Sequence, residues 1–287
     1  MVSLLAEGRW SLRAIGDEDV DDSLTFLRRD PLINVYLISR LLEEPTAAAT
    51  QIYAVRHNRK FVLMASLATN IVLATEPGLP DDIVETAMAM IAERITSRFV
   101  PVRAIISPAT LVEKLWNRLG TRLDPPTVVR MNQPVYAIRK RLDYPDLNRA
   151  RYATIGDLDV LVPACAAMHK EEVGIDPLER DAVGYRDRIR ELVESKRAVI
   201  RVAEGLIASK CEFSAVTDDA VQLMGVWTHP QFRRRGLSKA TLTEVCGHLF
   251  RKGKNVTLFV NDFNRPAISL YEGMGFQRIG LNRALIW

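Results

Sequence analysis

Apolar positions recur along this chain with two periods, one near two residues and one near 3.6, and the switches between them predict its elements. The first half predicts a strand over 11–15, helices over 17–29 and 31–43, and a hairpin of strands 52–55 and 60–67 turning at His57-Asn58. Leu32, Val35, Tyr36, Ile38 and Leu42 stripe one face of the second helix. A strand over 70–75 follows, then a helix over 81–96 opened by Asp81 or Asp82. A strand over 102–106, a helix over 110–119 closed by Gly120 and a strand over 135–139 complete this half. Residues 139–150 are charged, contain Pro145 and lack a period, which predicts a linker over 141–150.

The second half repeats that order. A strand over 151–153 precedes a helix that Thr154 and Asp157 open and that runs to His169. Residues 171–179 are polar, with Gly174 and Pro177, and predict a loop or short helix. A helix over 181–195 leads to a hairpin, 199–203 and 206–216, about Glu204-Gly205. Next come a strand over 221–228 and a helix from Gly236, with Leu237, Ala240, Val245, Leu249 and Phe250 on one face. A strand over 256–260, a helix over 265–274 and closing strands from Phe276 end the chain.

Two short matches tie the halves together. Ile15-Gly16-Asp17-Glu18-Asp19-Val20 recurs as Ile155-Gly156-Asp157-Leu158-Asp159-Val160, and Leu115-Trp116-Asn117-Arg118-Leu119-Gly120 recurs loosely as Leu270-Tyr271-Glu272-Gly273-Met274-Gly275. Both lie in register with the order of elements, which predicts two copies of one α/β (α+β) fold, over 1–140 and 151–287.

The copies differ at one turn. Val226-Trp227-Thr228 ends as a strand at His229-Pro230, where proline lacks an N–H and disfavours helix before it. Arg233-Arg234-Arg235-Gly236 then leads into a helix, whose unpaired N–H groups and dipole favour an anion. The first copy has Glu76-Pro77-Gly78 in that region, an acidic turn that repels phosphate. The first copy is therefore expected to bind no cofactor and to help shape a substrate cleft.

Arg233-x-x-Gly236-x-Ser238, followed by Asn264-x-x-Ala267-x-x-Leu270-Tyr271-x-x-x-Gly275-Phe276, resembles the paired motifs of the GNAT superfamily of acyl-CoA-dependent N-acyltransferases. The likeness covers about 151–287, and the whole arrangement resembles the two-domain GNAT proteins of high-GC Gram-positive bacteria. It implies tandem GNAT-like folds, each with a mixed, mostly antiparallel central sheet flanked by helices. It also implies acetyl-CoA, or a related acyl-CoA, as acyl donor. Val226, Trp227 and Thr228 would pair with the pantetheine arm. Arg233, Arg234, Arg235, Gly236, Leu237, Ser238 and Lys239 would meet the pyrophosphate. Asn264 and Ala267 would border the pantetheine, and the Val226 N–H would face the thioester oxygen. Ser238 departs from the family's usual glycine or alanine but is also small.

Amine acylation further needs a proton for the leaving thiolate and a route for the amine's proton. Tyr271 is the expected general acid. Phe259 stands where the ribosomal-protein alanine acetyltransferases carry a glutamate, and Gln222 and Met224 occupy the strand where another branch carries one. Glu212, in an apolar strand where burial raises a carboxylate's pKa, is the first candidate base; Glu171, Glu172, His169 and His229 follow. The implied acceptor is a primary amine of a small molecule, peptide or protein. The competing reading is a non-catalytic acyl-CoA sensor or interaction module.

Composition narrows the classes. The 287 residues are 48% hydrophobic with a net charge of +4, which suits packed domains and an anionic ligand but not strong nucleic-acid binding. The three cysteines, Cys165, Cys211 and Cys246, form neither a disulfide nor a metal pattern, so no metal and a reducing cytoplasm are expected. No apolar run is long enough for a leader or a membrane span, and a monomer or homodimer is expected.

Overall fold

The computed structural model describes residues 8–43, 51–97, 100–139 and 143–287. The sequence pattern set the element order well. The first copy contains β1 (Trp10–Ala14), α1 (Val20–Leu27), α2 (Val35–Glu43), β2 (Ile52–His57), β3 (Lys60–Leu67), β4 (Asn70–Thr75), α3 (Asp81–Ser97), β5 (Ala104–Pro108), α4 (Ala109–Leu119) and β6 (Val128–Ile138). The second contains β7 (Arg151–Tyr152), α5 (Leu158–Val173), α6 (Pro177–Glu194), β8 (Ala198–Ala203), β9 (Leu206–Val216), β10 (Ala220–Thr228), α7 (Leu237–Arg251), β11 (Asn255–Phe259), α8 (Arg265–Gly273) and β12 (Gln277–Ile286). The two orders are the same.

The chain divides into two compact units that do not follow a linear cut. One holds residues up to Tyr136 with Phe259–Ile268 and Arg278–Trp287; the other holds Ala137–Leu258 and Ser269–Gln277. In the first unit β1 through β4 pair antiparallel, and β4 pairs parallel with β5. In the second, β7 through β10 pair antiparallel and β10 pairs parallel with β11. The last strand of the second copy serves the first unit: β12 runs antiparallel to β5, with Ala284 opposite Ile106.

The repeat is real, but its structural register differs from the textual match. Gly16 and Thr154 are the equivalent caps of single helical turns, with Asp19 and Asp157 returning to their backbone N–H groups. Arg13 pairs with Asp19 at 3.0 Å, and Arg151 pairs with Asp157 at 2.7 Å. Asp19 thus corresponds to Asp157 and not to Asp159. The short identities slid by two residues because the cap position tolerates both glycine and threonine.

Apolar faces bury against the sheets as the periodicity requires. In the first unit Leu24, Leu27, Leu37 and Ile38 of α1 and α2 pack on Ile52, Ala54 and Met64. Val84, Met88, Ile91, Leu111 and Leu115 of α3 and α4 pack on Leu63, Ile71 and Ile105. In the second unit Leu158, Leu161, Ile189 and Val193 pack on Ile200, Ile207 and Trp227. Each fully buried aliphatic side chain contributes about 1.5–3 kcal/mol.

Several boundaries differ from the pattern: α2 begins at Val35 instead of residue 31, and α5 runs to Val173 instead of His169. β6 begins at Val128, because polar Asn132-Gln133-Pro134 reads as a turn yet lies within the strand. α6 begins at Pro177, where Asp176 accepts the Leu178 N–H at 3.0 Å; its kink at Asp181, whose side chain accepts the Gly184 N–H, marks the start predicted from sequence. A single strand, β12, closes the chain in place of several. The predicted linker is strapped down over its described part. The Tyr144 hydroxyl donates to the Met274 carbonyl at 2.5 Å, and Glu244 accepts the N–H groups of Asn148, Arg149 and Ala150 at 3.0, 3.0 and 2.8 Å. Residues 141 and 142 of that prediction lie outside the described residues.

Candidate functional site

The site begins where β10 leaves its neighbours. Its ladder with β11 pairs Ala220 to Asn255, Val221 to Val256 and Gln222 to Thr257, and ends there. On the other side, Met224 faces Glu212 and the register resumes only at Trp227 opposite Lys210. Gly225 and Val226 therefore share one partner, Cys211, in a bulge, and Gly225 takes φ +59°, which favours glycine. Past Gln222 the backbone edge toward β11 is open to an extended ligand.

The arginine loop follows. His229 Nδ1 accepts the Gln231 N–H at 3.3 Å, capping a single turn at Pro230–Phe232. Arg233 Nε donates to the Thr228 carbonyl at 3.0 Å, and its guanidinium reaches Glu171 at 2.6 and 2.8 Å. Arg234 and Arg235 are exposed; Arg234 adopts φ +61°, and Arg235 lies 5.5 Å from the Phe232 ring centroid. Gly236, at φ +76°, caps α7 without a side-chain bond, and a Cβ there would meet nothing within 4 Å. The first turn of α7, with Leu237, Ser238 and Lys239, contains no acidic residue, so its orphan N–H groups face an anion unopposed. The corresponding helix of the first unit, α3, opens with Asp81 and Asp82. Open backbone, space beside Gly236 and an acid-free helix start together fit an extended, anionic ligand.

α8 carries the second motif. The Asn264 side-chain oxygen accepts the Ala267 N–H at 3.3 Å and so starts the helix, leaving the amide nitrogen outside that bond. Tyr271 is 5% exposed, with its ring tilted against Phe276. Burial, then the charges of Cys211 and Glu172, hold its phenol well above the ordinary tyrosine range. It keeps its proton at neutral pH. Trp227 sends its indole into the core of the second unit, so only its backbone is available at the open edge.

Glu212 is buried as its strand pattern implied, but it is not a lone carboxylate. Lys210 Nζ lies 2.5 Å from Glu212 Oε1, and Cys165 Sγ is 3.3 Å from the same oxygen. Burial alone would lower the Lys210 pKa; the Glu212 carboxylate outweighs it and holds the group above its ordinary value. The Cys165 thiol, pushed up to about 12 chiefly by burial, stays protonated. Lys210 itself escaped the sequence reading. Its signal was present: opposite charges two apart on one face of an otherwise apolar strand.

The other candidate bases are also accounted for. Glu171 is bound to Arg233, and His229 caps a turn. His169 lies beside the Tyr185 ring, with its pKa lowered by burial and then by Arg188. Glu172 acts on Tyr271 electrostatically. Among the described residues no cluster of metal-ligating side chains exists, and no helix is long and apolar enough to cross a membrane.

Residues 211–286 match the model of the FR47-like protein family, and residues 50–161 match a domain of unknown function, DUF4081. No curated protein matches the sequence. The fold is similar to that of a GNAT-family acetyltransferase from Colwellia psychrerythraea, with 12% identity over 97% of this chain and 100% of that one and a TM-score of 0.57. A tandem GNAT protein from the clavulanic acid biosynthesis pathway is 14% identical over 97% and 98% of the two chains, with a TM-score of 0.55. A GCN5-related N-acetyltransferase from Sphaerobacter thermophilus is 17% identical over 96% and 94%, with a TM-score of 0.52.

Proposed function

We propose that this chain, which has the two-domain arrangement of the GNAT superfamily, transfers an acetyl or short acyl group from acyl-CoA to a primary amine through its second copy. The observation that carries the reading is the opening of β10 after Gln222, a bulge at Gly225-Val226 and an acid-free α7 start beyond the arginine loop. The α7 N–H groups, with Arg234 and Arg235, would hold the pyrophosphate. The free edge of Val226-Trp227-Thr228 would bind the pantetheine amides. The Val226 N–H would receive the thioester oxygen as it gains charge.

In the transfer itself, the amine nitrogen forms the new C–N bond and the C–S bond breaks. The Tyr271 phenol gives its proton to the departing sulfur and recovers one from solvent, while the amine's proton leaves to water. The raised phenol pKa means that Tyr271 enters the step fully protonated.

A second reading, a non-catalytic acyl-CoA sensor, draws support from the engagement of Glu212 and Glu171 by cations, which leaves neither carboxylate unpaired for base work. The test is thiol release from acetyl-CoA across a panel of amines, amino acids and peptides. Amine-dependent release that disappears in Tyr271→Phe supports the transferase. Tight CoA binding without release on any acceptor favours the sensor.

A further inference from the structure

We infer that Lys210 is a positioning residue for acyl transfer, pinning the Gly225 carbonyl so that the N–H of the same peptide, on Val226, is fixed and polarised toward the reacting oxygen. The inference rests on the transferase reading above. Lys210 is fully buried, and its ammonium lies 2.5 Å from Glu212 Oε1, 3.1 Å from the Gly225 carbonyl and 3.5 Å from Met168 Sδ, with the Cys165 thiol also beside it. Burying an ammonium is costly, and a buried ion pair is weak evidence of stability, because apolar residues of like volume often serve as well. The contact with the bulge gives the charge a different use.

Gly225 C=O and Val226 N–H belong to one planar trans peptide, so holding the oxygen on one side directs the hydrogen to the other. A cation at the carbonyl also draws electron density from the amide and strengthens the N–H as a donor. Glu212 completes the device. It balances the Lys210 charge, and its carboxyl packs against Gly225 so closely that a Cβ there would lie 2.8 Å from Glu212 Cδ. The bulge is thus held by an ion pair from behind, while its N–H faces away from it. Glu212, on this view, acts through Lys210 and takes no proton from the amine.

Removing Lys210 alone would strand a buried carboxylate and risk unfolding. The test therefore replaces the pair. Lys210→Met with Glu212→Leu removes both charges at similar volume; Lys210→Gln with Glu212→Gln removes the charges but keeps an amide donor. Fold is checked by circular dichroism, CoA affinity by calorimetry, turnover by thiol release, and the bound carbonyl by the infrared stretch of 13C-labelled acetyl-CoA.

The expected result is CoA affinity unchanged within about twofold, kcat lower by roughly tenfold or more in the Met/Leu pair, and partial recovery in the Gln/Gln pair. The carbonyl stretch should move toward that of free acetyl-CoA in the same order. A folded Met/Leu variant with wild-type kcat and stretch overturns the inference. So does a loss of CoA affinity matching the loss of kcat, which marks a merely structural pair. Wild-type protein that neither binds CoA nor releases thiol sinks the transferase reading itself, and the inference with it.

Discussion

A single guanidinium nitrogen of Arg233 reaches both carboxylate oxygens of Glu171, at 2.8 and 2.6 Å. Arg233 is thereby committed to fastening the end of α5 to the loop before α7, and in the proposed function the phosphate charge would fall to Arg234 and Arg235. Both partners of the pair are substantially exposed, so its contribution to stability is about 0–1 kcal/mol. Arg233→Ala is expected to shift CoA affinity by less than about threefold. Arg234→Ala with Arg235→Ala should weaken it by about tenfold or more and flatten its salt dependence. Calorimetry at two salt concentrations separates the cases; equal losses for both variants would refute the division of labour.

Gly236 gives a sharper contrast. Space around it is open, yet its backbone is left-handed. Gly236→Ala should therefore cost only about 1 kcal/mol of stability, from the strained φ, with CoA affinity within a few-fold of wild type. Gly236→Glu adds a negative charge at the helix start and should lower CoA affinity by about a hundredfold or more. If the glutamate variant binds CoA normally, the anion site lies elsewhere.

These residues also mark how far the sequence could be read. The apolar periods located nearly every strand and helix, because each element turns one apolar face into a core, as Leu161 and Ile200 in one cluster and Met88 and Leu63 in another illustrate. The repeat was legible as well, although Asp19 equates with Asp157 only through a hydrogen-bonding pattern that letters do not display. The division into units was not. β12 pairs with β5, a contact between distant parts of the chain that local pattern cannot anticipate. At the site, motif spacing singled out the arginine loop and Tyr271, whereas the partners of Arg233 and Glu212 depend on α5 and on a neighbouring position of β9. Glu212 was singled out on burial alone; its ion pair with Lys210 is what that argument lacked.

For Tyr271 the pH dependence is distinctive. Burial holds the phenol's pKa above its ordinary value near 10, so the acid form persists as pH rises through 10. Tyr271→Phe should lower kcat by roughly a hundredfold or more while CoA affinity stays within a few-fold. The wild-type kcat profile should have no descending limb between pH 8 and 10 that belongs to this residue. A limb near pH 9 that vanishes in Tyr271→Phe would contradict the raised pKa.

Glu244 is expected to govern acid stability. One of its oxygens accepts three linker N–H groups, and the other lies 2.6 Å from Arg201, a residue that also donates to Thr241 at 3.0 Å. Burial alone would raise the Glu244 pKa; the N–H groups of Ala150 and Asn148 and the Arg201 guanidinium outweigh it, and the folded-state value lies below the usual 4.5. The unfolded chain therefore binds the proton first as pH falls. The stabilisation is complete above about pH 4.5 and is lost as pH drops through the folded-state value. Glu244→Gln leaves Arg201 without its buried carboxylate and should cost about 3 kcal/mol at pH 7. Because that difference depends on an ionised Glu244, it should shrink as the medium is acidified below about pH 4.5. Urea unfolding of both proteins at pH 7 and pH 3.5 checks this, and a gap that stays constant across that range would mean that the strap is held by something other than the Glu244 charge.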